Sequence, residues 1–150
     1  MTPSAKPCNG PPMFSAPGAG VRISLATPQA DLAAVVWPGV STIYHPRTES
    51  AAQIQAVAAR IAELERLRGI RPGTVNVMPL VETPLGVSMA REIASSSPRI
   101  DSFGVGPNIG TGLGIEPGSD ADSLAYARAE CELHARALGL NPLDIYHVLD

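Results

Sequence analysis

From Val21 onward, short apolar runs alternate with longer amphipathic stretches. The runs VRISL, STIYH, VNVMPLVE, DSFGVG and DIYHV predict five strands, four of them dense in β-branched residues. Between the second and third, SAAQIQAVAARIAELERLRG places Ile54, Val57, Ala58, Ile61, Leu64 and Arg68 on one stripe of period 3.6, which predicts a helix. Ser50 suits its N-cap and Gly69 its stop. Between the fourth and fifth, DADSLAYARAECELHARALGLNP predicts a second long helix, with Leu124, Ala127, Cys131, His134 and Leu138 on its stripe and Gly139 and Pro142 ending it. Shorter helices are predicted over about 85–94 and about 29–36. Strand and helix in alternation are successive βαβ units, so the expected class is α/β with a mostly parallel sheet.

In such sheets ligands gather where the strands end and the βα loops begin. Glu82 closes an otherwise apolar strand and is therefore the leading candidate. Its carboxylate suits Mg²⁺, which takes one or two protein carboxylates and fills its octahedron with water and ligand oxygens; the alternative is an acid placed to favour a helix dipole. Arg22, flanked by Val21 and Ile23, reads as a buried guanidinium whose partner is a bound carboxylate or phosphate, or else an acid of the same chain. YHPRTES leaves His45, Arg47 and Glu49 in a mouth loop, for function or for solvation. Cys131 and His134 share an apolar stripe and read as a buried structural pair. His147 is an acid/base candidate or polar packing.

The stretch FGVGPNIGTGLG, residues 103–114, never spaces its glycines as GxGxxG, nor does Lys-Ser or Lys-Thr follow them. A plain backbone nest for an anion stays open.

Composition narrows the field. The 150 residues are 45% hydrophobic and 17% charged, with net charge -3, which fits one domain with a real core. No run of Lys or Arg offers a footprint for nucleic acid or an anionic membrane, and no apolar run of about 18 residues spans a bilayer. Cys8 and Cys131 stand far apart, so neither a disulfide framework nor a CxxC metal site is expected, and a reducing cytoplasm is the expected location. Residues 1–20, with five prolines and three glycines, are expected to form a disordered lead-in before a domain over 21–150.

Taken in order, VRIS, DLAAVVWPGVSTIYHPRTES, LVETPLGVSMAREIASSSPRIDSFGVG and ARAECELHARALGLNPLDIYHV resemble the HpcH/HpaI aldolase and citrate lyase β-subunit family from about Val21 to the end. The resemblance implies a partial TIM (β/α)₈ barrel of about five βα units, corresponding to the family's third to seventh strands; a whole barrel takes about 250 residues. It implies a carbon-carbon lyase acting on a hydroxyacyl-CoA thioester or keto acid through a Mg²⁺-stabilised enolate. Arg22 maps onto the binder of substrate carboxylate or thioester, and Glu82 onto the first metal ligand. Gly106 and Pro107 fall at the substrate. Asn108 is the nearest oxygen donor to the place where the family carries a second metal-binding Asp, and a neutral amide there weakens a hard dication's binding. The family's Pro-Lys appears as Pro46-Arg47, with charge kept and donor geometry altered. No general base is assigned. The expected partners are a small-molecule substrate and, to close the barrel, copies of this chain or a related chain. Two other readings stand beside the lyase: a metal-deficient relative that binds an acyl-CoA or a partner subunit, and an unrelated phosphate binder using the glycine stretch.

Overall fold

The computed structural model describes residues 18–116 and 122–145. Five strands form one sheet, β1 (Ala19–Arg22), β2 (Val40–His45), β3 (Asn76–Val81), β4 (Ser102–Val105) and β5 (Asn141–Asp144). Every neighbouring pair is parallel, and the strands lie side by side in chain order. That order matters. A doubly wound sheet reverses partway and takes helices on both faces, whereas unbroken sequential order with right-handed crossovers puts every helix on one side. The helices do pack in series there: α1 (Pro28–Val35) against α2 (Ala51–Leu67), α2 against α4 (Ala90–Ala94), and α4 against α6 (Asp122–Ala137). The arrangement is an arc of a (β/α)₈ barrel, the partial barrel that the alternation and the motif order predict.

Register assigns the faces. Val21, Ile43 and Val77 lie abreast toward the helices, as do Val81 and Val105, and all but Val21 belong to the buried core with Ile54, Ile61 and Phe103. Arg22, Tyr44 and Met78 lie abreast on the other face. The Tyr44 ring covers Gly20, where an added Cβ would stand 2.5 Å from it.

The elements differ from the prediction in four places. β1 starts at Ala19, inside the stretch assigned to the lead-in, because Ala19 N–H donates to Gly39 O and draws the chain alongside β2. It ends early, since Ser24 N–H turns away to the Asp31 carboxylate. Residues 1–17 of the lead-in lie outside the described residues. The predicted helix over 85–94 is two short ones, α3 (Pro84–Ser88) and α4, joined at Met89. The glycine stretch holds a further short helix, α5 (Ile109–Gly112). β5 begins at Asn141 rather than Asp144, because Gly139 at φ 70° closes α6 so tightly that Asn141 N–H reaches Asp101 O at once. Pro142 is tolerated there because β5 is an edge strand. His147 lies outside the described residues.

Helix stripes also shifted slightly. Ser50 caps α2 with a full capping box to Gln53, and Ile54, Val57, Ile61 and Leu64 are buried as predicted, joined by Glu65. On α6 the buried face is Leu124, Ala127, Cys131 and Ala135. His134 therefore does not pair with Cys131; its Nε2 lies 2.9 Å from Glu130 Oε1 at the flank. Cys131 alone is buried, and burial, with the Glu130 charge adding to it, pushes its thiol up to about 12.

Candidate functional site at the ends of the strands

Glu82 leaves β3 on the face that carries Met78 and Leu80, and its side chain is fully buried. The loops after β2 and β4 and the end of β1 converge on it. Oε2 accepts from Arg47 N–H at 2.9 Å, and Arg22 Nη2 stands 3.6 Å from the same oxygen. Oε1 accepts from Asn108 N–H at 3.2 Å and from Asn108 Nδ2 at 3.0 Å. A buried carboxylate requires this kind of satisfaction, because leaving water unpaired costs several kcal/mol.

Local sequence explains how those donors arrive. Arg47 is the sole non-glycine at positive φ among the described residues, at 45°, an uncommon conformation for a side chain of its size. The turn that holds it there is pinned on both sides. Thr48 N–H donates to Leu80 O at 2.9 Å, and the Thr48 hydroxyl donates to His45 O at 2.9 Å while lying 2.8 Å from His45 Nδ1. Burial lowers the His45 pKa, partly offset by the hydrogen bond to its own carbonyl, so the ring is neutral at pH 7. Its role is to fasten the loop. Glu49 N–H turns away to Gln53.

The glycine stretch has a packing reason. A Cβ on Gly106 would come within 2.6 Å of the Glu82 carboxylate, and one on Gly112 within 1.8 Å of Glu82 O. Glycines thus let β4 and α5 close onto Glu82 itself. The anion-nest reading loses the donors nearest Glu82 in the process: Gly106 N–H goes to Val81 O, Ile109 N–H to Gly106 O and Asn108 N–H to Glu82, while Pro107 has none. Contact between a substrate and Gly106 or Pro107 would be through carbon atoms.

The predicted site residues Arg22, Glu82, Gly106, Pro107 and Asn108 therefore come together. Arg22 departs from its prediction in one respect, because its side chain is 45% exposed rather than buried. The two alternatives for its partner also merge: the acid is Glu82, and the exposed part of the guanidinium stays open to a ligand. Sequence reasoning did not foresee the Arg47 amide, and a residue poised between Pro46 and a helix cap was its only signal.

The donor set does not fit the magnesium expected at Glu82 and Asn108. Asn108, the second expected ligand, is a neutral amide and turns N–H donors toward Glu82 where an ion needs oxygen. Among the described residues no three His, Cys, Asp or Glu side chains gather where they could hold a metal ion.

Comparison with known proteins bears on the same rim. A family model described as HpcH/HpaI aldolase/citrate lyase matches residues 15–149. Citrate lyase subunit beta of Haemophilus influenzae is 31% identical over 115 residues, 76% of this chain and 40% of the relative. That of Leuconostoc mesenteroides is 33% identical over 128 residues, 83% of this chain and 42% of the relative. The solved citrate lyase beta subunit of M. tuberculosis complexed with oxaloacetate and magnesium superposes with a TM-score of 0.63 at 27% identity, covering 84% of this chain and 53% of that one. The chain thus spans about two fifths of its sequence relatives and about half of this solved one. With the sequential parallel sheet, the Arg22–Glu82 pair at its rim and a family match over nearly all its residues, the chain belongs to the HpcH/HpaI aldolase/citrate lyase family.

Proposed function

We propose that this chain binds the carboxylate of a small keto acid, or the acyl end of a hydroxyacyl-CoA thioester, at the rim of its sheet, as the substrate-recognising part of a carbon-carbon lyase. One observation carries the reading. Arg22 is anchored on one side by buried Glu82 at 3.6 Å, yet nearly half exposed, so its fork of N–H donors is oriented and still open to an incoming carboxylate. Glu82 acts by holding the guanidinium in place. The ligand would lie over Gly106 and Pro107, which present carbon and leave its polar atoms to Arg22. Family membership supports a lyase, and oxaloacetate, held by the M. tuberculosis relative, is a keto acid of the class proposed.

A second reading, magnesium-assisted cleavage through an enolate at Glu82 and Asn108, is favoured by the same relative, which is complexed with magnesium. This chain's donor set supports it less well than it supports direct binding by Arg22.

Titration calorimetry with oxaloacetate, pyruvate and acetyl-CoA tests the first reading. The native chain should bind at least one of them. Arg22→Gln should weaken that binding roughly 10- to 100-fold, as expected for losing a charge-assisted pair. An unchanged Kd in the variant, or no binding by the native chain, would overturn it.

A further inference from the structure

We infer that the protein's own N–H donors, together with the Arg22 guanidinium, satisfy Glu82 in place of a divalent ion, so that an anion reaches Arg22 without magnesium. The second clause rests on the carboxylate-binding reading above; the first stands on geometry alone. A carboxylate offers about four lone-pair directions. Three N–H groups occupy three of them at 2.9–3.2 Å, and the Arg22 guanidinium stands 3.6 Å from Oε2. Charge closes as well, because one acid faces one guanidinium. An added dication would have to displace amide donors fixed by the loops, and would sit beside Arg22 with a single carboxylate to offset it. Asn108 is the residue that decides the matter. Its backbone and side-chain nitrogens both point at Oε1, so a neutral donor stands where a second acid would have to be matched by an ion.

Mn²⁺ serves as the probe, with the free-ion electron paramagnetic resonance signal read during titration of the full chain. The native protein should leave that signal intact, corresponding to a Kd weaker than about 1 mM, the weak end for oxygen-ligand sites. Uptake of one Mn²⁺ per chain that disappears in Glu82→Gln would overturn the inference. Asn108→Asp should take up Mn²⁺; a folded Asn108→Asp that does not would overturn the part assigned to Asn108. Calorimetry with oxaloacetate should give the same Kd in EDTA and in Mg²⁺ to within about twofold, and a tenfold tightening in Mg²⁺ would count against magnesium-free binding. No binding in either buffer would sink the carboxylate-binding reading and its second clause, while the Mn²⁺ result would still decide the state of Glu82.

Discussion

Gly106 shows how much of the site depends on a missing atom. Its spacing from other glycines resembles no phosphate motif, and the reason it is glycine lies in another part of the chain: the Glu82 side chain rests against its Cα. Gly106→Ala places a methyl group 2.6 Å from a carboxylate that is buried and hydrogen-bonded on both oxygens, so neither partner can yield cheaply. Urea unfolding of this variant should show a loss of roughly 1–3 kcal/mol, the usual cost of overpacking. An unaltered midpoint would mean that Glu82 moves freely. Glu82 was legible as a strand-end group and Arg22 as a charge inside an apolar run, because such charges are conspicuous; that β1 stops at Arg22 was shown by the fold. Their pairing was legible only as one alternative, since residues 60 apart meet through strand order alone.

Elements were legible where local chemistry decides them. The Ser50 N-cap, the Gln53 that completes the box and Gly69 at φ 64° all follow from short-range rules. Ser50→Ala should cost about 1 kcal/mol in denaturant titration, with the slope unchanged, because it removes one cap acceptor and leaves the core intact. A loss below a few tenths would show that Gln53 and the loop carry the cap alone. Where the prediction slipped, tertiary contacts had chosen among options that local preference leaves equal. β5 begins three residues early because the tight α6 exit delivers Asn141 directly onto β4. On α6, Ala135 replaces His134 on the buried face, a shift of one position that brings a small residue rather than a ring inward.

At the scale of the whole molecule, the two ends of the sheet do different work. The C-terminal rim holds Glu82. At the opposite end Glu65, fully buried, joins three segments: it accepts from Gly73 N–H and Val75 N–H and pairs with Arg99 at 2.6 Å. Arg99 also donates to Val75 O, so α2, the entry to β3 and the entry to β4 are tied together. Burial raises the Glu65 pKa, but Arg99 and the two amides outweigh it, and the net value lies below the ordinary 4.5. A depressed carboxylate stabilises the folded state above its unfolded pKa and loses that contribution as pH falls through the folded one. The melting temperature should therefore be steady with respect to Glu65 above about pH 4.5 and fall below it. Glu65→Gln should lose roughly 3 kcal/mol at pH 7, since Arg99 is left without its charge partner, and should lack this component of the acid dependence. A variant as stable as the native chain at pH 7 would show that the tie is dispensable.

Local order in the chain was enough to determine the α/β class, the caps of α2 and the glycine stop of α6, the rim residues Arg22 and Glu82, and the family motifs, because periodicity, capping and charges in apolar runs are properties of neighbouring residues. Only the folded arrangement decided that Arg47 and Asn108 surround Glu82 with N–H groups, that the glycines serve close packing, and that Glu65 locks the far end. Those outcomes depend on distances between segments remote in sequence, which are fixed once the parallel sheet brings the loops together.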